Sequence, residues 1–327
     1  MISNSILAQW GLSGPQARLG NGLINDTFCV DNRFVLQRIN KQVFDHPQRL
    51  VTNFKNVHDH VLDLVPRLLP TVGGEDCYED SDGDVWRCSV YYRSRNFQSL
   101  PDELVYAAGQ AFGLFLFRLR DCTVPLEPAI PNFHDFEYYL NELEQVWLDD
   151  DEQPDRSLID RCRETFNQRP VSGQRQIIHG DCKVNNLLFD LRSDKVVRIV
   201  DTDTLMWGSP VWDFGDLVRS VAMDIEQDDK LKKRLNSVCA GFFEQFPIPK
   251  AEAKCYAFAP IHMSMMLGIR FLTDHMLGNQ YFKVERVGEN MDRAKEQLML
   301  VERFDTIQDA LHTTILAYSE TCSKIEV

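Results

Sequence analysis

A short stretch of the chain holds two aspartates and an asparagine whose types and spacing suit the transfer of a phosphoryl group. Asp181 follows a His-Gly pair, Asn186 comes five residues later, and Asp201 ends the next β-branched run. Phosphoryl transfer needs an oxygen base near the acceptor hydroxyl and hard oxygen ligands for magnesium. The spacing therefore predicts that Asp181 orients or deprotonates the acceptor, and that Asn186 and Asp201 hold Mg²⁺. His179 is predicted to brace the loop by hydrogen bonding, which completes the catalytic group.

The apolar runs around these residues predict how the three side chains meet. Leu187–Phe189 is short and apolar, residues 196–200 are mostly β-branched, and the segment between them is polar enough for a turn. Two such runs predict an antiparallel hairpin. In a hairpin the start of the first strand lies beside the end of the second. Asn186 and Asp201 should therefore converge at one open end, with Asp181 on the loop that leads in.

The ordered set of His-Gly-Asp, Asn and strand-terminal Asp resembles the aminoglycoside phosphotransferase and choline kinase branch of the kinase-like superfamily. Further blocks are similar to N-acetylhexosamine 1-kinases, and they lie at 33–40, 108–113, 130–135, 181–190, 200–204, 270–274 and 281–283, with Asn290, Arg293 and Gln297 following. The resemblance implies an α+β, two-lobed protein-kinase-like fold, with a small antiparallel N-lobe and a larger helical C-lobe. It also implies phosphorylation of the anomeric hydroxyl of a sugar by ATP.

Given this site, residues 20–27 are predicted to cover the nucleotide, because glycines followed by a strand can lay backbone over phosphates. A plain hairpin is the alternative. The next strand carries Arg38, which would supply charge to the α/β-phosphates unless it is a surface arginine on an edge strand. Residues 91–93 would form the hinge that meets the adenine. The residues predicted to contact the nucleotide are Gly20, Gly22, Asn25, Thr27, Arg38, Tyr91 and Tyr92.

The helix predicted to begin near Pro47 lacks the glutamate that many kinases pair with the strand cation. No Glu occurs between residues 41 and 64. Asp59, Asn53 and Asn56 are therefore the candidate partners of Arg38. Further along the chain, an aspartate at the start of a later helix is predicted to tie down the catalytic loop through backbone N–H groups. Asp213 is our choice for this role, and Asp216 is the rival.

A long helix is predicted over residues 257–276, and the segment after it should form the acceptor site. Arg270 and Asp274 lie four residues apart on one helix face, where they line a sugar cleft or form a solvated pair. The residues predicted to contact the acceptor are Arg270, Asp274, Tyr281, Lys283, Asn290 and Arg293. Choline, homoserine, methylthioribose or an aminoglycoside are alternative acceptors, and a cationic one predicts an acidic cleft. A non-catalytic nucleotide-binding module of the same fold is the other alternative.

The length and composition of the chain limit these interpretations. A chain of 327 residues with 44% hydrophobic residues suggests two domains, which we place at 1–93 and 94–327. The net charge of −14 argues against a nucleic-acid partner. Nine cysteines without a Cys-x-x-Cys pair, no secretory start and no long apolar span predict a cytoplasmic protein that contacts no membrane. The expected partner is a small molecule, a sugar, and the oligomeric state stays open.

Overall fold

The computed structural model describes residues 2–19, 24–148, 156–223 and 225–322. Its N-terminal part is an antiparallel sheet, as the alternating apolar runs of this region predict. The strands are β1 (Gln16–Arg18), β2 (Asp26–Val30), β3 (Phe34–Arg38), β4 (Leu68–Leu69), β5 (Tyr78–Glu79) and β6 (Val85–Val90). Their order is β1-β2-β3-β6-β4, and β5 pairs with β6.

Two helices cover opposite faces of this sheet. Helix α1 (Asn4–Ala8) packs against Leu36 and Trp86, whereas α2 (Pro47–Val61) packs on the face that carries Val85. Strands β3 and β6 are in register, with Gln37 opposite Arg87. Because successive side chains of a strand alternate between faces, these two polar side chains share the α2 face with Val85.

The C-terminal part is mainly helical, and its apolar faces form one large core. Its helices are α3 (Val105–Leu119), α4 (Phe136–Leu148), α5 (Ser157–Gln168), α6 (Pro210–Ala222), α7 (Asp228–Gln245), α8 (Ala253–Met276) and α9 (Glu289–Cys322). Its strands are β7 (Gln176–Ile178), β8 (Leu187–Phe189), β9 (Val196–Ile199) and β10 (Met206–Gly208). Strands β8 and β9 form the predicted antiparallel hairpin, and β7 pairs with β10.

The small antiparallel sheet followed by a larger helical part confirms the predicted fold class. The division at residue 93 stays a prediction, since the sheet ends at Val90 and the helical part begins with α3. The segment Lys250–Met276 is long and apolar enough to cross a membrane, but most of it is buried in the core. All cysteines whose side chains the structure describes are free thiols.

Candidate active site

The catalytic loop is anchored by a carboxylate in the first turn of α6. Asp213 accepts hydrogen bonds from the backbone N–H groups of His179 and Gly180, each at 2.8 Å. The rival Asp216 instead forms a buried ion pair with Arg219 at 2.6 Å. A carboxylate that satisfies two buried amides fixes the backbone around it. The predicted role of Asp213 is therefore confirmed.

His179 is fully buried and braces the same loop from the inside. Its Nε2 donates to the carbonyl of Val200 at 3.1 Å, and its Nδ1 accepts from the amide of Asp181 at 3.3 Å. A carbonyl only accepts and an amide only donates, so the ring is neutral with its proton on Nε2. The rings of Phe112 and Phe115, on α3, contact the imidazole in a T-shaped geometry, with centroids 5.8 and 5.5 Å away. These contacts are the predicted bracing hydrogen bonds.

Asp181 lies between two polar side chains of its own loop. Its Oδ2 accepts from Lys183 Nζ at 2.6 Å and from Asn186 Nδ2 at 3.0 Å. Burial disfavours the charged carboxylate, but the Lys183 ammonium outweighs it and lowers the pKa of Asp181. Asp181 is therefore ionised at neutral pH. The sequence analysis missed Lys183, although a lysine two residues along an extended segment faces the same side as the aspartate.

Asp201 joins this group at the open end of the β8–β9 hairpin. The amide of Val200 donates to the Asn186 carbonyl at 2.9 Å, so the two ends of the hairpin meet as predicted. Asp201 has a φ of 64°, which is rare for a residue with a side chain and is typical of functional sites. Surrounding protein and the carboxylates of Asp181 and Asp203 raise the pKa of Asp201 to about 6.

The donor set at this end suits a magnesium ion that is shared with phosphates. Asn186 uses its amide nitrogen on Asp181, so its side-chain oxygen is the atom left for a cation. Surrounding protein and two neighbouring carboxylates disfavour the negative charge of Asp201, and a divalent ion would offset that cost. Within the described ranges, no group of three His, Cys, Asp or Glu side chains is placed to hold a metal alone. Mg²⁺ commonly binds through one or two carboxylates and keeps waters and phosphates as its other ligands.

Of the predicted nucleotide loop, Gly20 and Gly22 lie outside the described residues. Asn25 is buried, and its side chain spans the two parts of the fold. Its Nδ2 donates to Asp203 Oδ2 at 2.6 Å, and its Oδ1 accepts from the amide of Asn40 at 3.0 Å. Asn25 therefore connects the end of this loop to the segment that follows Asp201.

Arg38 lies on the face of the sheet opposite to Arg87, which corrects the prediction that it contacts the phosphates. The face that carries Arg87 and Gln37, and that meets Asp203, is called the cleft face below. Its guanidinium lies 2.5 Å from Asp26 and 3.1 Å from Asp84, and it is partly exposed on the α1 side of the sheet. Strand alternation causes this placement: Leu36 is fully buried against α1, so Arg38, two residues later, faces the same way. Arg38 is thus the surface arginine of the alternative prediction, but its strand is not an edge strand, because β3 lies between β2 and β6.

The cation on the cleft face is Arg87 of β6, which the sequence analysis missed. Its side chain is buried, its Nη1 lies 2.5 Å from Asp203 Oδ1, and its Nε donates to Gln37 Oε1 at 3.0 Å. The contact with Asp203 is a close ion pair and not an aligned hydrogen bond. Gln37 in turn donates to Thr27 Oγ1 at 3.2 Å, so Thr27 lies on the cleft face. The sequence does hold a signal for this placement. Arg87 lies two residues after Val85 on the same strand, so both side chains face the same side of the sheet.

The polar side chains of α2 do not pair with a strand cation, and the three candidate partners were wrong. Asn53 exchanges hydrogen bonds with the backbone of Glu127, at 2.7 and 3.1 Å. Asn56 donates to the carbonyl of Pro125 at 2.9 Å, and Asp59 is exposed. These asparagines fasten the segment before α4 to α2, which is a structural role.

The two tyrosines at the predicted hinge are both engaged by protein groups. The amide of Tyr91 donates to the carbonyl of Arg33 at 2.8 Å, which extends the sheet. The Tyr92 hydroxyl accepts from Arg198 at 3.1 Å, and the Arg198 guanidinium lies 4.2 Å from the Tyr92 ring centroid. Tyr92 therefore links the end of the sheet to β9. Their contact with adenine stays a prediction.

Three of the predicted acceptor residues hold the segment between α8 and α9 together. Asp274 is buried and accepts from the amides of Tyr281 and Phe282, at 2.7 and 3.0 Å, and from Asn290 Nδ2 at 2.8 Å. Arg293 donates to the Asn290 side-chain oxygen at 2.8 Å. Since Asp274, Asn290 and Arg293 are occupied by one another and by backbone, we correct their role from acceptor contacts to scaffold of the segment.

Arg270, on α8, and Lys283, in the segment after it, are the remaining charged candidates for contact with the acceptor. The Arg270 guanidinium lies 4.8 to 5.5 Å from four ring centroids, those of Phe133, Tyr139, Tyr281 and Phe282. Lys283 Nζ approaches the carbonyl of Ile24, at the end of the nucleotide loop, to 3.4 Å. The predicted solvated Arg270–Asp274 pair does not form, because each side chain has other partners.

A histidine connects this aromatic group to the catalytic loop. His134 Nε2 lies 2.8 Å from the carbonyl of Gly180, the residue before Asp181. Burial lowers the pKa of His134 to about 4, and both Arg270 and Asp181 are close enough to act on it electrostatically. Phe133, its neighbour, is one of the rings around Arg270. The residues predicted to contact the acceptor therefore adjoin the loop that carries Asp181.

Comparison with known proteins agrees with this geometry. The family model described as "Phosphotransferase enzyme family" matches residues 16–238. The chain belongs to this family. The match includes the catalytic loop, the hairpin and the sheet, and it ends before α8. Membership confirms the predicted activity class, a phosphotransferase with an alcohol group as acceptor.

Solved structures with the same fold span nearly the whole chain. A microcompartment-associated aminopropanol kinase has a TM-score of 0.70 at 16% identity, with 93% of this chain and 97% of that chain covered. Amicoumacin kinase in complex with AMP-PNP, Ca²⁺ and Ami has a TM-score of 0.60 at 13% identity, covering 94% and 92%. An aminoglycoside phosphotransferase from Alicyclobacillus acidocaldarius has a TM-score of 0.63 at 14% identity, covering 96% of each chain. At these identities the likeness establishes the fold.

Proposed function

We propose that this chain is an ATP- and Mg²⁺-dependent kinase that phosphorylates the anomeric hydroxyl of an N-acetylhexosamine. The observation that carries the proposal is the ionised carboxylate of Asp181, held by Lys183 and Asn186 beside the second carboxylate of Asp201. The blocks that resemble N-acetylhexosamine 1-kinases support the sugar. The family and the fold support the phosphoryl transfer.

In this proposal Asp181 orients the acceptor hydroxyl and takes its proton as the oxygen attacks the γ-phosphorus. The bond between that phosphorus and the β,γ-bridging oxygen breaks, and ADP leaves. A low pKa makes Asp181 a weak base, but phosphoryl transfer depends mainly on positioning and charge. Asn186 and Asp201 would hold Mg²⁺, which would neutralise charge on the phosphates. His179 and Asp213 keep the loop rigid.

The groups near Asp181 favour a neutral acceptor over a cation. Arg270 places a fixed positive charge among four aromatic rings, and a quaternary or primary ammonium at this point would be repelled. Rings and a fixed guanidinium instead suit the faces and hydroxyls of a sugar. The choline and aminoglycoside alternatives, which carry cationic groups and no carboxylate, are therefore less favoured. Homoserine also carries a carboxylate that a guanidinium would attract, so the argument does not decide against it. Methylthioribose, which carries no charge, is not opposed by this argument.

Replacing the base tests the proposal. In Asp181→Asn we expect kcat to fall by about 10²- to 10⁴-fold, because the side chain can no longer accept the proton. Binding of ATP should stay near normal, since Asp181 contacts the acceptor. The readout is ADP release with N-acetylhexosamine, alongside a separate nucleotide-binding titration.

Asp194→Asn is the matched control, an equivalent change at the exposed far turn of the same hairpin. Its turnover should equal that of the unmodified protein. If Asp181→Asn turned over the sugar at a normal rate, the assignment of the base would be wrong.

A further inference from the structure

We propose that Arg87 is the residue that contacts the phosphates of the nucleotide, and that Asp203 holds it in position for this contact. The inference rests on the proposed kinase function. It relocates the strand cation from β3 to β6 and its carboxylate partner from α2 to the loop after β9.

The position of Arg87 is the first argument. It lies on the cleft face of the sheet, opposite Gln37 on β3, and its guanidinium comes close enough to Asp201 to act on that carboxylate electrostatically. Its Nε and Nη1 are taken by Gln37 and Asp203. An arginine has five N–H donors, so the Nη2 edge still has donors for a phosphate oxygen. The fixed planar group would bind phosphate with little loss of freedom.

Asp203 is the second argument, because it joins three pieces that must act on one nucleotide. Its Oδ2 binds Asn25 at the end of the predicted nucleotide loop, and its Oδ1 pairs with Arg87. It also follows the metal-binding Asp201 by two residues. An aspartate in this place sets the loop, the strand cation and the metal ligand at fixed distances from one another. This is the pre-organisation that a phosphate site requires.

The balance of charge is the third argument. The cleft holds the carboxylates of Asp181, Asp201 and Asp203, and a triphosphate would add further negative charge. Lys183 pairs with Asp181 and Arg87 pairs with Asp203, so Arg87 is the cation that the sheet contributes to this group of charges. The β1 and β3 arginines, Arg18 and Arg38, are bound to Asp26 on the other face of the sheet.

The test compares Arg87→Met with Arg38→Met, a matched pair on neighbouring strands that face opposite sides. Calorimetric titration with ATP, ADP and adenosine is the measurement. Loss of a charged hydrogen-bond donor in Arg87→Met should lower the affinity for ATP and ADP by about 10- to 100-fold and leave the affinity for adenosine unchanged. Arg38→Met should bind all three normally. Equal losses of ATP and adenosine in Arg87→Met would overturn the proposal.

A double variant, Arg87→Met with Asp203→Asn, separates phosphate binding from mere compensation of a buried charge. It removes both charges, so it should fold even if the single variant leaves Asp203 unpaired and unstable. If Arg87 contacts phosphate, the double variant still binds ATP weakly and binds adenosine with normal affinity. If Arg87 only compensates Asp203, its ATP affinity recovers, and the proposal fails.

Arg87→Lys completes the set, because it keeps the charge and should regain part of the ATP affinity. No gain over Arg87→Met would count against a phosphate contact. The unmodified protein separates the two levels of inference. If it binds no ATP, the proposed kinase function fails. If it binds ATP and Arg87→Met binds equally well, only the role of Arg87 fails.

Discussion

Asp181 and Asp274 are both aspartates of the helical part that were predicted to act on the acceptor, and the structure uses them differently. Asp181 is held by the side chains of Lys183 and Asn186. Asp274 is held by the backbone amides of Tyr281 and Phe282 and by an asparagine side chain. The first is positioned at the edge of a cleft, whereas the second is enclosed by the segment that it organises.

The difference teaches how to separate a reacting carboxylate from a structural one. Backbone amides that point at both oxygens satisfy a carboxylate within the fold, as Asp213 also shows with His179 and Gly180. A carboxylate whose donors gather on one oxygen keeps the other for a substrate. Spacing in the sequence showed that Asp181 and Asp274 lie near the site, but the hydrogen bonds decide what each does.

The largest effect that would test this comparison is on stability. Asp274→Ala removes the acceptor for two partly buried backbone N–H groups and one buried side-chain amide. We expect the free energy of unfolding to fall by about 2 to 4 kcal/mol, because each unpaired buried donor carries a desolvation cost. Urea denaturation followed by circular dichroism measures this change.

Asp292→Ala is its matched control on the same stretch, since Asp292 is exposed and pairs only with Arg286 among its described ionic partners. It should shift stability by less than about 0.5 kcal/mol. If Asp274→Ala is as stable as the unmodified protein but loses turnover with the sugar, the contrast between Asp181 and Asp274 is wrong. Asp274 would then be a residue that contacts the substrate.

A smaller effect is expected on acceptor affinity. Arg270→Met keeps the apolar stem among the aromatic rings and removes the guanidinium. We expect the KM for the sugar to rise about 10- to 100-fold while the KM for ATP is unchanged, since the lost contact is a charged hydrogen bond to the acceptor. Steady-state kinetics with each substrate varied in turn gives both constants.

Arg293→Met is the control, because Arg293 supports the segment through Asn290 and Glu289. It should lower the melting temperature and change the two KM values much less. An Arg270 variant with an unchanged sugar KM would remove Arg270 from the acceptor site and leave Lys283 and Tyr281 as its remaining candidates.

The catalytic hairpin could be predicted because its information is local. Two apolar runs and one polar turn set the register of β8 and β9, and that register brings Asn186 to Asp201. Asp213 is a different case, because the two amides that it binds lie 34 and 33 residues earlier in the chain. Only the hairpin contact is determined by residues close in sequence.

The nucleotide face was predicted less well because it depends on pairing between distant strands. Alternation within β3 placed Arg38 and Gln37 on opposite faces, but the buried side of Leu36 decided which face meets the cleft. Arg87 belongs to β6, which is distant from β3 in the sequence. The pairing of Arg87 with Gln37 could not be predicted from the sequence of either strand alone. Likewise, the carboxylate that pairs with Arg87 is Asp203, which belongs to the other part of the fold.

The central claim is that this phosphotransferase acts on the anomeric hydroxyl of an N-acetylhexosamine, and identification of the product tests it most directly. The protein with Mg²⁺ and ATP is incubated separately with N-acetylglucosamine, N-acetylgalactosamine, choline, homoserine, methylthioribose and an aminoglycoside. Mass spectrometry detects the phosphorylated product, and phosphorus–proton coupling in NMR locates the phosphate. The account predicts an N-acetylhexosamine product whose phosphorus couples to the anomeric proton. Turnover of an amine-bearing acceptor with none of either sugar would contradict it.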